Sequence, residues 1–408
     1  MRSPFSAFAA LTSAQRHAFF ASLAGWALDA FDFFLFNFAV SGIARDFHVA
    51  VSAVTEGIFW TLAMRPVGAF LFGALAERYG RRPILMINVV SYSLCELASA
   101  AAPDLSTLLV LRAIFGIAMG GEWGIGAALA LETLPAKSRG LFSGLLQEGY
   151  AIGFLLASIA YKTLFDSIGW RGMFVLGASP ALLVFYIRRT VEESPAWLAG
   201  AAARRPSAGD VLSAVSRNLP TFAFLVLLMT CFNAFSHGSQ DLYPTFLKVQ
   251  HGFSTSTTGT IGIVLNIGAL CGGIFFGALS ESLGRRRAIA LAALLALPAI
   301  VPWAHASSAV GFAAGAFVMQ FMVQGAWGVV PAHLNELSPP AVRAVLPGFA
   351  YQLGNLAMAR MAPWQARVAE AHGNDYASVL SWTIGTAATA LAVVTLLGSE
   401  RKEAELRV

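Results

Sequence analysis

The sequence predicts an all-α membrane protein of twelve transmembrane helices in two pseudo-symmetric six-helix bundles. Of its 408 residues, 57% are hydrophobic and only 12% charged, whereas an ordinary soluble domain carries about 25% charged residues. Twelve apolar stretches approach the ~20 residues that cross a ~30 Å hydrocarbon core. The second six stretches also repeat the first six at a constant offset.

In chain order the stretches are 19–40, 58–75, 84–102, 105–131, 141–164 and 172–187, then 222–247, 259–279, 288–303, 311–332, 344–361 and 378–397. Arg2 and Arg16 precede the first stretch, as in a secretory signal. The run continues through Trp26 to Val40, contains Asp29 and Asp32, and has no small-residue cleavage site, so a retained first helix is expected. Short cytoplasmic loops hold the excess of Lys and Arg. With the N-terminus inside, nineteen of the 27 basic residues face the cytoplasm, among them Arg78, Arg81, Arg82, Arg285, Arg286 and Arg287. Arg45, Lys162, Arg171, Lys248 and Arg367 face outward. The chain is expected in the cell inner (plasma) membrane with both termini cytoplasmic, so its +5 charge reflects topology and not nucleic-acid binding.

The repeat is explicit. Phe72-Gly-Ala-Leu-Ala-Glu-Arg-Tyr-Gly-Arg-Arg82 recurs as Phe276-Gly-Ala-Leu-Ser-Glu-Ser-Leu-Gly-Arg-Arg286, and the same 276 − 72 = 204 offset joins Trp123 to Trp327, Glu132 to Glu336, Pro135 to Pro339 and Arg139 to Arg343. It also joins Asp29-Ala-Phe-Asp32 to Asn233-Ala-Phe-Ser236. The expected organisation is an N-terminal bundle over 1–188, a cytoplasmic linker over 189–218 and a C-terminal bundle over 219–408. Parallel repeats of this kind place a substrate site near the bilayer midplane between the halves, with transport by rocking.

These residues carry a family resemblance. Gly73-Ala-Leu-Ala-Glu-Arg-Tyr-Gly-Arg-Arg82 is similar to the loop signature between the second and third helices of the major facilitator superfamily, with Glu77 where Asp is usual. Arg112 with Gly116 and Gly120 resembles its fourth-helix motif, and Glu193-Ser-Pro-Ala-Trp-Leu198 resembles an element of its sugar, metabolite:proton and sialate:proton branches. Gly25-Trp-Ala-Leu-Asp-Ala-Phe-Asp-Phe-Phe34 resembles the first helix of the sialate:proton symporter branch. Asn233-Ala-Phe-Ser-His-Gly-Ser-Gln-Asp-Leu-Tyr-Pro-Thr245 is similar to a pattern of the Jen-type lactate and pyruvate:proton symporters within it. The resemblance implies symport of a small monocarboxylate with protons by alternating access. A sialic or aromatic acid is the alternative cargo.

Charged side chains at membrane depth are costly and default to function. Asp29 and Asp32 lie three residues apart on one helical face, where two carboxylates in low dielectric do not both ionise readily. They are proton-coupling candidates, as are Glu122, Glu148 and Asp241; the alternative is permanent pairing with a buried Arg. His237 and Asp241 are one turn apart, with Asn233 and Gln240 in the same polar stripe, and Gly238 and Pro244 would let the helix bend there. The substrate anion calls for a planar, permanently charged guanidinium, which Arg65 and Arg112 offer; Arg112 could instead tune a carboxylate. Arg360 is expected to be interfacial. Glu122 could equally be one buried acid in a glycine packing seam. The stretch Tyr351-Gln-Leu-Gly-Asn355 resembles a Jen-type segment bearing on substrate choice, so Gln352 joins Asn233, His237 and Gln240 as a ligand contact.

A cytoplasmic gate is expected from Gly73, Glu77, Arg81, Glu132 and Arg139, forming ion pairs between the halves in one state and breaking them in the other. Cys95, Cys231 and Cys271 lie in apolar spans and are expected as small core residues. Neither a metal-ligand spacing, a nucleophile elbow nor a phosphate loop is present, so an enzyme is disfavoured. The expected partners are a small carboxylate, protons and the lipid bilayer, with no cofactor and a functional monomer. A non-transporting membrane sensor would need a signalling domain, for which the 399–408 tail is too short.

Overall fold

The computed structural model describes residues 8–134, 139–194, 197–198, 213, 216–338 and 346–400. The first half contains α1 (Ser13–Asp46), α2 (Val51–Tyr79), α3 (Arg81–Ala100), α4 (Leu105–Thr133), α5 (Arg139–Gln147), α6 (Gly149–Gly177) and α7 (Ala181–Thr190). The second contains α8 (Leu219–Gln240), α9 (Tyr243–Val249), α10 (Thr255–Leu283), α11 (Arg285–Ala304), α12 (Ala309–Trp327), α13 (Val330–Leu337), α14 (Leu346–Met358), α15 (Met361–Ala371) and α16 (Tyr376–Leu397). Among the described residues ten helical stretches are long and apolar enough to span a membrane. One of them, Gly144–Thr190, makes two passes, turning at Gly169, where φ is 62°. The broken pair α14–α15 supplies the twelfth pass.

The repeat is visible in backbone geometry. α2, α3 and α4 start at Val51, Arg81 and Leu105, and α10, α11 and α12 start 204 residues later. The intervening glycines share one conformation, φ 108° and ψ 157° at Gly80, φ 94° and ψ 154° at Gly284. A positive φ is open to glycine at no steric cost, so one residue turns the chain sharply between adjacent spans.

Local chemistry starts the helices at the end away from these Arg-rich turns. The side chains of Asp104, Ser254, Ser308 and Asp375 each accept a backbone N–H three residues on, satisfying a donor that the helix cannot. Position in the bundle follows burial. α3 exposes Ile87, Leu94 and Leu97 on one side, as a lipid-facing helix does, whereas residues 29–40 of α1 and 231–247 across α8 and α9 are buried on every side. α1 and α8–α9 are therefore the inner pair, and their polar residues face protein.

Glycine seams let backbones touch where hydrocarbon offers no hydrophobic drive. A Cβ on Gly68 would stand 1.7 Å from the Ile117 carbonyl oxygen, and one on Gly120 would stand 2.0 Å from that of Arg65, so α2 and α4 are in direct backbone contact. In the second half Gly268 and Gly272 of α10 approach Phe317 and Phe321 of α12 in the same way. Of the three cysteines, Cys95 and Cys231 are buried, but Cys271 is exposed on the outer side of α10, contrary to the expected core position.

Candidate functional site

Two buried arginines, Arg65 on α2 and Arg112 on α4, differ in standing. Arg112 is 1% exposed and donates to Glu96 Oε1 and Ser99 Oγ, both at 2.8 Å, with the rings of Phe36, Phe115 and Phe174 within 5.5 Å of its guanidinium carbon. Its charge is matched within its own half, although its Nε has no hydrogen-bond partner. Arg65 is 0% exposed and none of its three guanidinium nitrogens has a hydrogen-bond partner. Its neighbours are rings, Trp26 of its own half at 5.9 Å and Tyr351 of the other at 5.6 Å. It lies where the halves meet, just before Pro66, which removes a backbone donor from α2.

Asp29 and Asp32 are fully buried, and no carboxylate oxygen of either is hydrogen-bonded. They serve two neighbourhoods. Asp29 and Glu122 both interact electrostatically with Arg65 and with each other. Glu122, also without a hydrogen bond, fills the space over Gly25, where a Cβ would stand 2.2 Å from its Oε1. Asp32 lies instead towards Glu96 and Arg112: its Oδ1 and Glu96 Oε2 are 2.9 and 3.3 Å from where a Gly177 Cβ would be. Glu96 was missed in the sequence, although its place inside an apolar span was signal enough.

The second half contributes a neutral-polar chain anchored by His237. Its Nδ1 is 3.0 Å from Asp241 Oδ2 and its Nε2 is 3.1 Å from Asn355 Oδ1. Asn355 reaches Gln352 at 3.5 Å. His237 thus links Asp241 on its own helix to Asn355 of α14. The helix breaks between Gln240 and Tyr243, beside Asp241, as Gly238 and Pro244 suggested. Gln240 donates to Ser236 at 2.9 Å and reaches Tyr150 of the other half at 3.4 Å. Asn233 turns back to the Met229 carbonyl at 2.8 Å.

Asp241 also accepts from Asn37 at 3.3 Å, and the rings of Phe33 and His237 meet edge to face at 6.0 Å. Both pairs are 204 residues apart, so each joins a residue to its own repeat on the pseudo-two-fold axis. Glu148 contributes to the same seam, its Oε1 lying 2.2 Å from where a Cβ on Gly273 would be. A separate cleft of about 500 Å³ opens at the end away from the Arg-rich turns, with Arg45, His48 and Lys248 in its lining. None of the expected substrate contacts lines it.

In this structure the described ion pairs of the expected gate lie within the first half. Arg81 pairs with Glu77 at 2.6 Å and Glu132 at 3.3 Å. Glu193 accepts the backbone N–H of Arg81 at 3.0 Å and of Arg82 at 3.2 Å. Ser194 bonds Glu132, and Trp197 donates to the Glu77 carbonyl at 2.9 Å. The Glu-Ser-Pro-x-Trp-Leu element thus clasps its own bundle. Gly73 has nothing within 4 Å of a would-be Cβ, so no close approach requires glycine there. Arg139 opens α5; its side chain, and the whole of Arg343, lie outside the described residues. Among the described residues, the ion pairs that join the halves sit at the opposite end: Glu56 of α2 binds Arg360 at 2.7 Å and also binds Arg367. Arg360 is therefore an inter-half partner, not a snorkelling side chain.

Residues 23–360 match the model of the Major Facilitator Superfamily. The chain belongs to that superfamily. Its architecture is that of a membrane transporter and not of an enzyme. The chain is similar to a carboxylic acid transporter protein homolog of Saccharomyces cerevisiae, 29% identical over 95% of this chain and 68% of that one. It also resembles the sialic acid transporter NanX of Escherichia coli, 28% identical over 83% and 84% of the two chains. The fold matches a partially occluded inward open conformation of the xylose transporter XylE from E. coli, with a TM-score of 0.77 over 96% of this chain and 99% of that one at 19% identity.

Proposed function

We propose that the protein is a proton-coupled symporter of a small monocarboxylate of the lactate or pyruvate type, working by alternating access with both termini cytoplasmic. The observation that carries this reading is Arg65, a buried cation without a hydrogen bond, between the halves and beside Asp29 and Glu122. An arginine fork binds a carboxylate bidentately, and leaving it unmatched in low dielectric is costly. Asp29 and Glu122 compete with the substrate for its charge. Protonating them releases the guanidinium for the substrate anion, so proton and anion bind better together than apart, which is the reciprocal coupling a symporter needs.

On this reading the second half completes the ligand shell through His237, Gln352 and Gln240, and Asp241 ties the state of His237 to Asn37 across the axis. The likeness to a relative named for carboxylic acids supports an acidic cargo, and the one named for sialic acid supports a larger acid as the second reading. The cleft lined by Arg45 and Lys248 suits the collection of anions at one mouth.

Uptake of labelled lactate into proteoliposomes, with and without an inward proton gradient, tests the reading. Gradient-stimulated accumulation is expected. Its absence for lactate, pyruvate and propionate would sink the small-monocarboxylate proposal, and accumulation of sialic acid instead would move it to the alternative. Asp241→Asn should abolish driven accumulation while leaving the protein folded; unchanged accumulation removes Asp241 from the coupling path.

A further inference from the structure

The two Arg-rich junctions share a plan but differ in how the acid of the fourth span of each half is matched. In the first half Glu132 uses both oxygens, Oε1 with Arg81 and Oε2 with Ser194. In the second half its repeat Glu336 uses Oε1 with Arg285, at 3.1 Å, and its buried Oε2 has no hydrogen-bond partner. One turn earlier, where the first half has Leu129, the second has His333, which is 1% exposed with neither ring nitrogen hydrogen-bonded. Glu400, just beyond α16, accepts the backbone N–H groups of Arg285 and Arg286, each at 3.1 Å. One ligand atom from each of His333, Glu336 and Glu400 lies within 4.8 Å of the other two.

We propose that these three side chains form a binding site for a divalent first-row transition ion of the zinc class. One imidazole and two carboxylates are a donor set that suits such ions, and a cation between them gives one of the unmatched His333 nitrogens and Glu336 Oε2 the partner they lack. The surrounding charge permits it. Three carboxylates, Glu281, Glu336 and Glu400, stand around Arg285 and Arg286. Arg285 is held by Glu281 and Ser280 at 2.8 and 2.7 Å, and the Arg286 guanidinium turns to the carbonyls of Thr395 and Leu396. The sequence does not show the site because Glu400 stands 64 residues beyond Glu336, with α14, α15 and α16 between them. A bound ion ties the end of α13 to the segment after the last helix.

The test uses the full chain in lipid nanodiscs with Zn²⁺ by titration calorimetry and Co²⁺ by visible absorption. One saturable site per chain is expected, with a Co²⁺ spectrum of low-symmetry nitrogen and oxygen ligation and a Zn²⁺-dependent rise in the unfolding midpoint. His333→Leu, which installs the residue the first half already carries, should abolish all three signals. Glu400→Gln, at an exposed position, should weaken binding tenfold or more. No saturable site in the wild type, or an undiminished one in either variant, overturns the proposal. Because Glu400→Gln alters only an exposed side chain, its result stands even where His333→Leu fails to fold.

Discussion

The two bundles share a backbone plan and differ in what they bury. Asp29, Asp32, Arg65, Glu96, Arg112 and Glu122 of the first half correspond at the 204 offset to Asn233, Ser236, Ala269, Ile300, Ala316 and Ala326 of the second. Every buried charge of that inner set is neutral or apolar in the repeat. The second half instead carries His237 and Asp241, opposite Phe33 and Asn37. The two copies of the scaffold thus divide their inner ionisable groups unequally, six in the first half against the His237–Asp241 pair of the second.

The largest effect that would break this contrast is at Arg65. Arg65→Gln should lower uptake by ~30-fold or more, since truncating one partner of a buried charge pair costs about 2–5 kcal/mol. Arg65→Lys should rescue it poorly because the planar fork is lost. Near-normal uptake in Arg65→Gln would move the anion site elsewhere.

Next is the structural pair. Glu96→Gln leaves Arg112 buried without its counter-charge and should destabilise the protein by about 3–5 kcal/mol, seen as a lower unfolding midpoint in detergent. Replacing both with apolar residues of similar volume should recover much of that loss. If the double variant stays as unstable as the single one, Arg112 is doing more than pairing with Glu96.

Coupling comes third. The apparent lactate affinity should rise as pH falls, by up to about tenfold per pH unit for one coupled proton, and the slope should flatten in Asp29→Asn and in Glu122→Gln. The equivalent position in the second half is already Asn233, so Asn233→Asp serves as the reciprocal variant and should not restore the slope. An unchanged slope in both first-half variants would place coupling in His237 and Asp241 alone.

Smaller effects separate packing from gating. Gly120→Ala should cost about 1–3 kcal/mol through overpacking, whereas Gly73→Ala, with open space around it, should be neutral or stabilising in an unfolding assay. Glu56→Gln removes the ion pairs with the exposed Arg360 and Arg367, worth at most about 1 kcal/mol each. The distance between spin labels on α2 and α15 should show only a modest population shift towards separation at that end.

Much of the fold could be read in advance because its determinants are periodic. Apolar length, the Arg-rich turns and the offset between Gly80 and Gly284 are properties of the chain, and the break near Asp241 follows from Gly238 and Pro244. Side-chain partnership is not periodic. Arg65 and Arg112 look alike in sequence, and only the positions of Glu96 and Ser99 one helix away separate a committed guanidinium from an unmatched one. The Glu77–Arg81–Glu132 group is expected between the halves because its charges alternate; the Glu193-Ser-Pro-x-Trp-Leu clasp that holds it within one half in this structure acts from 62 to 120 residues away.

The hydrogen bond between Asn37 and Asp241 bears on ancestry. Two identical six-helix units meeting on a two-fold axis must present the same residue to itself: two aspartates, which repel, or two asparagines, which carry no charge. The observed pair combines the charge of one with the donor of the other. Such a pair is available only once both units lie in a single chain and each side of the axis can mutate independently. Fusion thus opened to natural selection an unlike Asn–Asp contact at the centre of symmetry that a symmetric dimer could not have held.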